Sequence, residues 1–402
     1  MAEELADQPD NMAGELADQP EFFFTDEQRQ LRAAVREFCT QNADESSLRR
    51  WMESDPPFDA KVWTRLGTEL GVLGLAVPET LGGVGGTLID QAVAVEELGD
   101  ALACGPLFGT VYLAVPALVA ASAGGETLDA LIAGTRTAAM AVSDVAGDFD
   151  TAAVVVKAVS GQHGWLLTGT LSRVVDAVAA DILLVAANGP EGIGLFAVET
   201  DSPGVECVSL TTLDLTRPQA NVELADAPAR LIAEGDEADR VITHALRVGS
   251  ALLAVEQVGA ARHLLDLSVE YAKNRLQFGR PIGSFQAVKH RLADALVAVE
   301  HARSTAYHAI WALAAGTDDP ALAVSIAQAT CSEAFVRLAT DAIQVHGGIG
   351  FTWEHQAHLY CKRAYTDAAL LGTAEQHRAR VAELMFGMST KEAPRVATGI
   401  PG

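Results

Sequence analysis

Positive charge is what this chain has least of. Lysine and arginine together number 28 against 53 aspartates and glutamates, a formal net charge of −25 over 402 residues. So acidic a surface repels phosphate backbones and anionic lipid headgroups, which argues against general nucleic-acid or membrane-surface binding. Cysteine is scarce as well. The five (Cys39, Cys104, Cys207, Cys331, Cys361) are scattered with no C-x-x-C pair. That spacing excludes a zinc ribbon or a disulfide framework and leads us to expect reduced thiols and a cytoplasmic location. Apolar runs such as Ala177 to Ala187 are too short to span a bilayer. The N-terminus shows no basic stretch followed by an apolar one, so no signal peptide is expected. Also missing are G-x-S-x-G, a P-loop, G-x-G-x-x-G between strand and helix, and H-E-x-x-H, which leaves hydrolase, NTPase, Rossmann and zincin readings without support. His346, Glu354, His355 and His358 lie close in sequence, but their spacing does not make a one-sided ligand set, and no metal is expected.

What is present is a large apolar fraction, 49%, enough to build cores without staples. The length suggests two or three domains. Residues 1–21 are an acidic tail in which ELADQP occurs twice, and disorder is expected there. From Phe22 the pattern turns helical. Thr25 with Gln28 resembles a capping box, and helical spacing recurs over Lys61–Glu69, Ile89–Leu98 and Gly109–Ala121, with a glycine loop at Gly82–Gly86. Residues 22–135 therefore read as a helical domain. Short β-type runs follow at Ala152–Val159, Gly164–Leu167, Ile182–Ala187, Ile193–Val198 and Val205–Ser209, so residues 136–235 read as a small barrel or sandwich. From 236 to 390 the spacing predicts four long helices, Arg240–Lys273, Ser284–Ala315, Ala321–His346 and Ala364–Phe386, as an antiparallel bundle. A tail occupies 391–402. The class is α+β, mainly α.

One window breaks the acidic rule. Lys273, Arg275, Arg280, Lys289 and Arg291 fall within nineteen residues that contain no acid, around a Gly279-Arg280-Pro281 break flanked by Phe278 and Phe285. Guanidinium groups pair phosphate and aromatic rings stack on a base, so an anion with an aromatic portion suits this corner as well as a plain solvated hairpin does. Further on, Gln344 to Phe351 ends a helix in a loop of three glycines, which permits either a simple helix cap or close approach of another group.

These segments resemble the acyl-CoA dehydrogenase family. Arg275 to Ala287 is similar to its R-x-x-F-G-x-x-(I/L)-x-x-x-Q segment, Gln344 to Phe351 to its Q-x-x-G-G-x-G-(F/Y) segment, and Leu75 to Gly83 to its N-terminal L-x-x-P-E-x-x-G-G run. The resemblance covers the chain from about residue 22 and implies the acyl-CoA dehydrogenase fold: an N-terminal helical domain, a middle β-barrel or sandwich, and a C-terminal four-helix bundle. It implies FAD as cofactor, an acyl-CoA thioester as substrate, α,β-desaturation as the reaction and an electron-transfer acceptor as partner. It also implies that Arg275, Gln277, Phe278, Gln286, Gln344, Gly347, Gly348 and Thr373 bind FAD, those of the two C-terminal segments reaching the adenine end of a neighbouring subunit's cofactor.

The same resemblance exposes a loss. Family members remove the substrate α-proton with a glutamate in a Y-E-G-T string, and here that string is Leu370-Leu371-Gly372-Thr373. The alternative position for the base, on the first helix of the bundle, falls on Gly249. Neither Leu371 nor Gly249 can accept a proton. Glu256 and Glu375 are the carboxylates near enough in sequence to serve as displaced bases, and ion pairing or exposure is the plainer expectation for both. The family's polar flavin contacts in the β-domain are absent too, Ser143 being the one hydroxyl retained as a candidate; Trp165 reads as strand packing. Residues of a subunit's own site are degraded and residues lent to a neighbour are kept. This asymmetry resembles the base-less subunit of α2β2 acyl-CoA dehydrogenases of actinobacterial sterol breakdown. A homo-oligomer with a displaced base, and a flavin-free scaffold or acyl-CoA-binding protein, are the alternatives.

Overall fold

The computed structural model describes residues 24–142, 154–161, 164–316 and 318–387. Ser143 and the two terminal tails lie outside the described residues.

Local chemistry starts most of the helices. Thr25 caps α1 (Asp26–Asn42) through the expected capping box with Gln28. Asp44 and Asp59 cap α2 (Glu45–Met52) and α3 (Ala60–Thr68), and Thr87 closes a second capping box on α4 (Leu88–Asp100). Each cap satisfies N–H groups that have no partner within the helix. Every residue of α4 from Gln91 to Gly99 is buried, as befits a helix surrounded by others. The stretch read as one helix, Gly109–Ala121, is instead a fully buried π-helical segment, Leu107–Ala114, running into α5 (Val115–Ala120). The short α6 (Glu126–Ile132) follows.

The strands β1 (Ala138–Ala141), β2 (Lys157–Gly161), β3 (Gly164–Val175), β4 (Ile182–Gly189), β5 (Gly192–Glu199), β6 (Val205–Ser209) and β7 (Gln219–Glu234) form one sheet. It closes on itself as β4-β2-β3-β7-β5-β4, with β1 beside β4 and β6 beside β7. The short run Gly164–Leu167 extends to Val175, and β7, with 16 residues, was not anticipated at all. Its alternation is interrupted by Ala225-Asp226-Ala227-Pro228, and Asp226 adopts a positive φ of 55°, so no continuous period of two marks it. Trp165 packs edge-on against Phe196 within the barrel core.

Three long helices make the C-terminal unit: α7 (Gly235–Asn274), α8 (Gln286–Ala315) and α9 (Pro320–His346). A two-stranded hairpin, β8 (Leu276–Gln277) and β9 (Arg280–Pro281), joins α7 to α8. The expected fourth helix, Ala364–Phe386, is two: α10 (Ala357–Asp367) and α11 (Ala374–Phe386). The break has a local cause. Leu371 and Gly372 take left-handed φ of 54° and 99°, and Thr373 caps the new helix. Among the described residues no helix is long and apolar enough to cross a membrane.

Where α4 crosses α7 the backbones touch. A Cβ at Gly259 would lie 1.9 Å from the Glu96 carbonyl oxygen, and one at Gly99 would lie 2.3 Å from that of Glu256. Backbone on both sides cannot yield as a flexible side chain can. Gly259→Ala should therefore destabilise the protein by at least about 2 kcal/mol, the upper part of the range for overpacking, read as a lowered urea midpoint.

Candidate functional site

Two regions stand out: an open cationic corner and a closed ionic centre. At the corner, Phe278 and Gly279 form the two-residue turn of the β8–β9 hairpin, and both have positive φ, 53° and 77°. A phenylalanine pays strain in that region of the backbone map, and strain of this kind collects at functional sites. The residue is 91% exposed, and the one ring it meets among the described residues is Phe285, edge to face at 6.0 Å. The guanidinium of Arg280 lies over the Phe285 ring at 4.1 Å. Arg275, Gln277 and Gln286 are exposed around the same turn, and the Arg275 carbonyl accepts from the Ile282 N–H. Arg291 pairs with Asp341 at 2.8 Å, whereas Arg275 and Lys289 enter no ion pair among the described residues.

The glycine loop stands beside the base of this hairpin. Tyr271, one turn before Arg275, packs on the ring of His346 at 4.4 Å and donates its hydroxyl to the His346 carbonyl oxygen. His346 is the last residue of α9, so the stack sets Gln344, Gly347 and Gly348 beside the end of α7. Gly348 has no positive φ, and a Cβ there would meet nothing within 4 Å. The chain's own packing therefore gives no reason for a glycine at that place, and close approach by an outside group does. Thr373 lies elsewhere, as the cap of α11. The next turn of α11, at His377, borders Ser325 near the other end of α9, about 28 Å of helix away from Gln344.

Both positions expected for a base are closed. A Cβ on Gly249 would come within 2.5 Å of Leu113 Cδ2 and 3.1 Å of the Tyr112 carbonyl oxygen, so a side chain there would have to displace Leu113. Leu371 is buried in the main core, and its carbonyl oxygen is held by His377 Nε2 at 2.8 Å. Glu375 does not share a helical face with Leu371, because the helix is broken between them; it is exposed in the first turn of α11.

Glu256 is buried and fully engaged. Arg217 Nη2 donates to its two oxygens at 2.6 and 2.7 Å, Arg363 Nη1 donates to Oε1, and the Tyr112 hydroxyl donates to Oε2 at 2.8 Å. Burial alone would raise its pKa, but the charges of Arg217 and Arg363 with the hydrogen bonds from Arg217 and Tyr112 outweigh it and hold the value at about 2. A general base near neutral pH needs a far higher value and a free lone pair. Arg363 is gripped further by Asp214 and by the carbonyl and hydroxyl oxygens of Thr216. Arg217 also donates to Asp367 Oδ1 at 2.8 Å and lies over the Phe108 ring at 5.3 Å. Asp367 is wholly buried with Oδ2 unpartnered, and burial pushes its pKa up to about 8 against the pull of Arg217. Nearby, Asp176 accepts from the Gly109 N–H at 2.8 Å. The network thus joins the π-helical segment, the strand connections of the barrel, α7 and α10. Of its members the sequence reading singled out only Glu256. Arg363 and Asp367, opposite charges one turn apart on one helix, were the available signal.

Comparison with known proteins follows the same lines. The sequence model of the acyl-CoA dehydrogenase N-terminal domain matches residues 25–128, and that of the C-terminal domain matches residues 240–386. The acyl-CoA dehydrogenase IpdE2 of Mycobacterium tuberculosis is 36% identical over 347 residues, covering 86% of this chain and 93% of that protein. Among solved structures, the ChsE4–ChsE5 complex of Mycobacterium tuberculosis superposes with a TM-score of 0.82 at 30% identity, covering 92% of this chain and all of the matched one. A variant of the Tcur3481–Tcur3483 steroid ACAD superposes at 0.79 with 31% identity, over 89% of this chain and 97% of its own.

Two outcomes test the ionic centre. Arg217→Met would leave buried Glu256 with Arg363 as its remaining cation and Asp367 Oδ1 without its donor, and should cost about 3–5 kcal/mol, measured by urea denaturation at pH 7. Asp367, whose folded pKa lies above its unfolded value of 3.8, makes stability decline as pH rises from about 4 through 8. Asp367→Asn keeps an acceptor for Arg217 but cannot ionise. Its urea midpoint should lack that decline and exceed the wild-type midpoint at pH 9.

Proposed function

The chain belongs to the acyl-CoA dehydrogenase family, a family of FAD-linked oxidoreductases, and from that premise we propose that it acts as the base-less subunit of a hetero-oligomeric enzyme. One contrast carries the reading: both positions for a base are closed, by Leu113 at Gly249 and by core packing at Leu371, while the cationic corner is open. FAD, when bound, supplies a hydride acceptor for desaturation of an acyl-CoA thioester. The residues present fit the anionic, aromatic end of that cofactor. Arg275 offers a guanidinium to a pyrophosphate, Phe278 offers an exposed ring to an adenine, and Gln286, Gln344, Gly347 and Gly348 offer polar groups and bare backbone. In this reading they reach FAD seated mainly in a homologous partner, and the partner brings the carboxylate that removes the α-proton. The heteromeric ChsE4–ChsE5 and Tcur3481–Tcur3483 complexes support such an arrangement, and the likeness to the second, a steroid ACAD, favours a steroid-derived acyl-CoA.

A displaced base within this chain is disfavoured by geometry. Glu256 is saturated by three donors, and Glu375 stands on the surface.

The test is the visible spectrum of the chain purified alone and together with a glutamate-bearing homologue. The expected result is a colourless protein alone and about half-stoichiometric flavin in the mixed complex, with Arg275→Ala lowering that flavin content at least about tenfold in affinity, as loss of a charge-assisted phosphate contact does. A yellow, stoichiometric homo-oligomer whose flavin bleaches with an acyl-CoA would overturn the reading.

A further inference from the structure

Three histidines, His346, His355 and His358, bracket the turn from α9 to α10, and none of them is among the groups assigned to the cofactor. Their hydrogen bonds fix their charge. His346 Nδ1 lies 2.8 Å from the Ala342 carbonyl oxygen, which can only accept, so Nδ1 carries the proton and Nε2 keeps a lone pair. That Nε2 is buried and meets no hydrogen-bond partner among the described residues. His355 is arranged the other way round: its Nδ1 accepts from the Ala357 N–H at 3.1 Å and so has no proton. His358 hydrogen-bonds the Trp353 backbone and again leaves Nε2 buried and unpartnered. This is the geometry of three neutral rings. A further proton on His346 or His358 would bury an N–H where nothing accepts it. One on His355 would set N–H against N–H at the first turn of α10, where the helix end already carries positive partial charge.

The same rings hold the turn in place. Tyr271 of α7, His346 and His355 stack in a row, with 4.4 and 4.3 Å between successive centroids. His358 stands edge-on to Trp353 at 4.8 Å, and the Lys362 ammonium lies over that Trp353 ring at 4.4 Å. The charged groups around the cluster come from every element packed on it. Glu45 and Arg49, paired with each other, face it from α2, and Lys362 faces it from α10. Glu354 lies within the turn, and His263 of α7, itself beside Asp100, reaches Gln356. Arg49 and Lys362 oppose positive charge on the rings, and Glu45 favours it. Burial is the largest influence at each ring, followed by His346 at His355 and Lys362 at His358, and all three pKa values are held below the ordinary 6.5.

We propose that this cluster is an acid-sensitive latch: while its imidazoles are neutral it holds Gln344, Gly347 and Gly348 against the end of α7, and proton uptake releases them. The inference rests on the reading of those three residues as contacts for a partner's FAD, and it adds regulation by pH to that contact. The sign follows from the hydrogen bonds. Protons bind better to the released turn than to the held one, so the held turn keeps its full stability above pH 6.5 and loses it as pH falls through the lowered values. Each histidine that takes up a proton on release weakens the contact by up to about tenfold per pH unit in that range.

The first measurement uses the full chain alone, followed from about pH 7.5 to 5.5 by the ring nitrogen NMR signals of its histidines and by amide exchange protection in residues 347–356. Expected are a proton on Nδ1 of His346 and on Nε2 of His355, ring pKa values below 6.5, and protection that falls on acidification. The second uses the complex with a glutamate-bearing homologue, whose affinity for FAD should be at least about tenfold weaker at the lower pH. His346→Asn combined with His355→Asn keeps a donor for the Ala342 carbonyl and an acceptor for the Ala357 N–H but takes up no proton. Whatever its affinity at the higher pH, this variant should shrink the ratio between the two pH values at least about threefold. Rings that titrate at 6.5 or above in the isolated chain, protection that does not change with pH, or a ratio that the double substitution leaves intact would each overturn the latch. A turn that opens in the isolated chain, beside a mixed complex that takes up no FAD at either pH, would support the latch and overturn the subunit reading together with the regulation assigned to it.

Discussion

A guanidinium group cannot lose its proton, so burying one commits the fold to surrounding it with acceptors. Among the described residues two are buried, Arg217 and Arg363, at the point where the three structural units meet. Glu256 comes from the longest helix, Tyr112 from the π-helical segment, Asp214 and Thr216 from the connection entering the long barrel strand, and Asp367 from α10. Each is placed where the two cations require an acceptor or a supporting donor. This set of contacts ties barrel to helices beside the large apolar cluster that spans all three units, and it adds what apolar packing lacks: charge-assisted hydrogen bonds of fixed direction.

The same network shapes what the interior can do. A catalytic carboxylate needs a dry pocket, freedom to accept a proton and a pKa near working pH. Glu256 has the first and neither of the others. A side chain at Gly249 would press on Leu113 and the Tyr112 carbonyl, and the buried position 371 holds a leucine, which accepts no proton. The polar groups that face outward, on the β8–β9 hairpin and the glycine loop, show the opposite condition: exposed, partly unpaired, and in the case of Phe278 held in a strained conformation that its own packing does not explain. An inward-closed and outward-open distribution of chemistry is what a subunit that serves a neighbour's cofactor would carry.

Much of this was legible in the order of residues. The capping box at Thr25 and Gln28, the three long helices and the barrel between helical units follow from signals confined to a few neighbouring residues. The segments that identify the family are equally local, since a glycine turn and the arginine before it are contiguous in the chain. The split after Asp367 was missed because Leu370 and Leu371 continue a helical apolar pattern, and only the left-handed backbone at Leu371 and Gly372 shows that the chain turns there. The strand β7 escaped because a bend at Asp226 breaks its alternation.

The sequence by itself therefore determined the class of fold, the family and the absence of a carboxylate at two positions, since each is written in residue identity and short spacing. What surrounds the other carboxylates was decided only in three dimensions. Glu256 is joined to Arg217 and Arg363 across 39 and 107 residues of chain, and a pairing at that separation leaves no periodic trace. Its charge, its pKa and its lack of a free lone pair belong to the partners that folding brings to it.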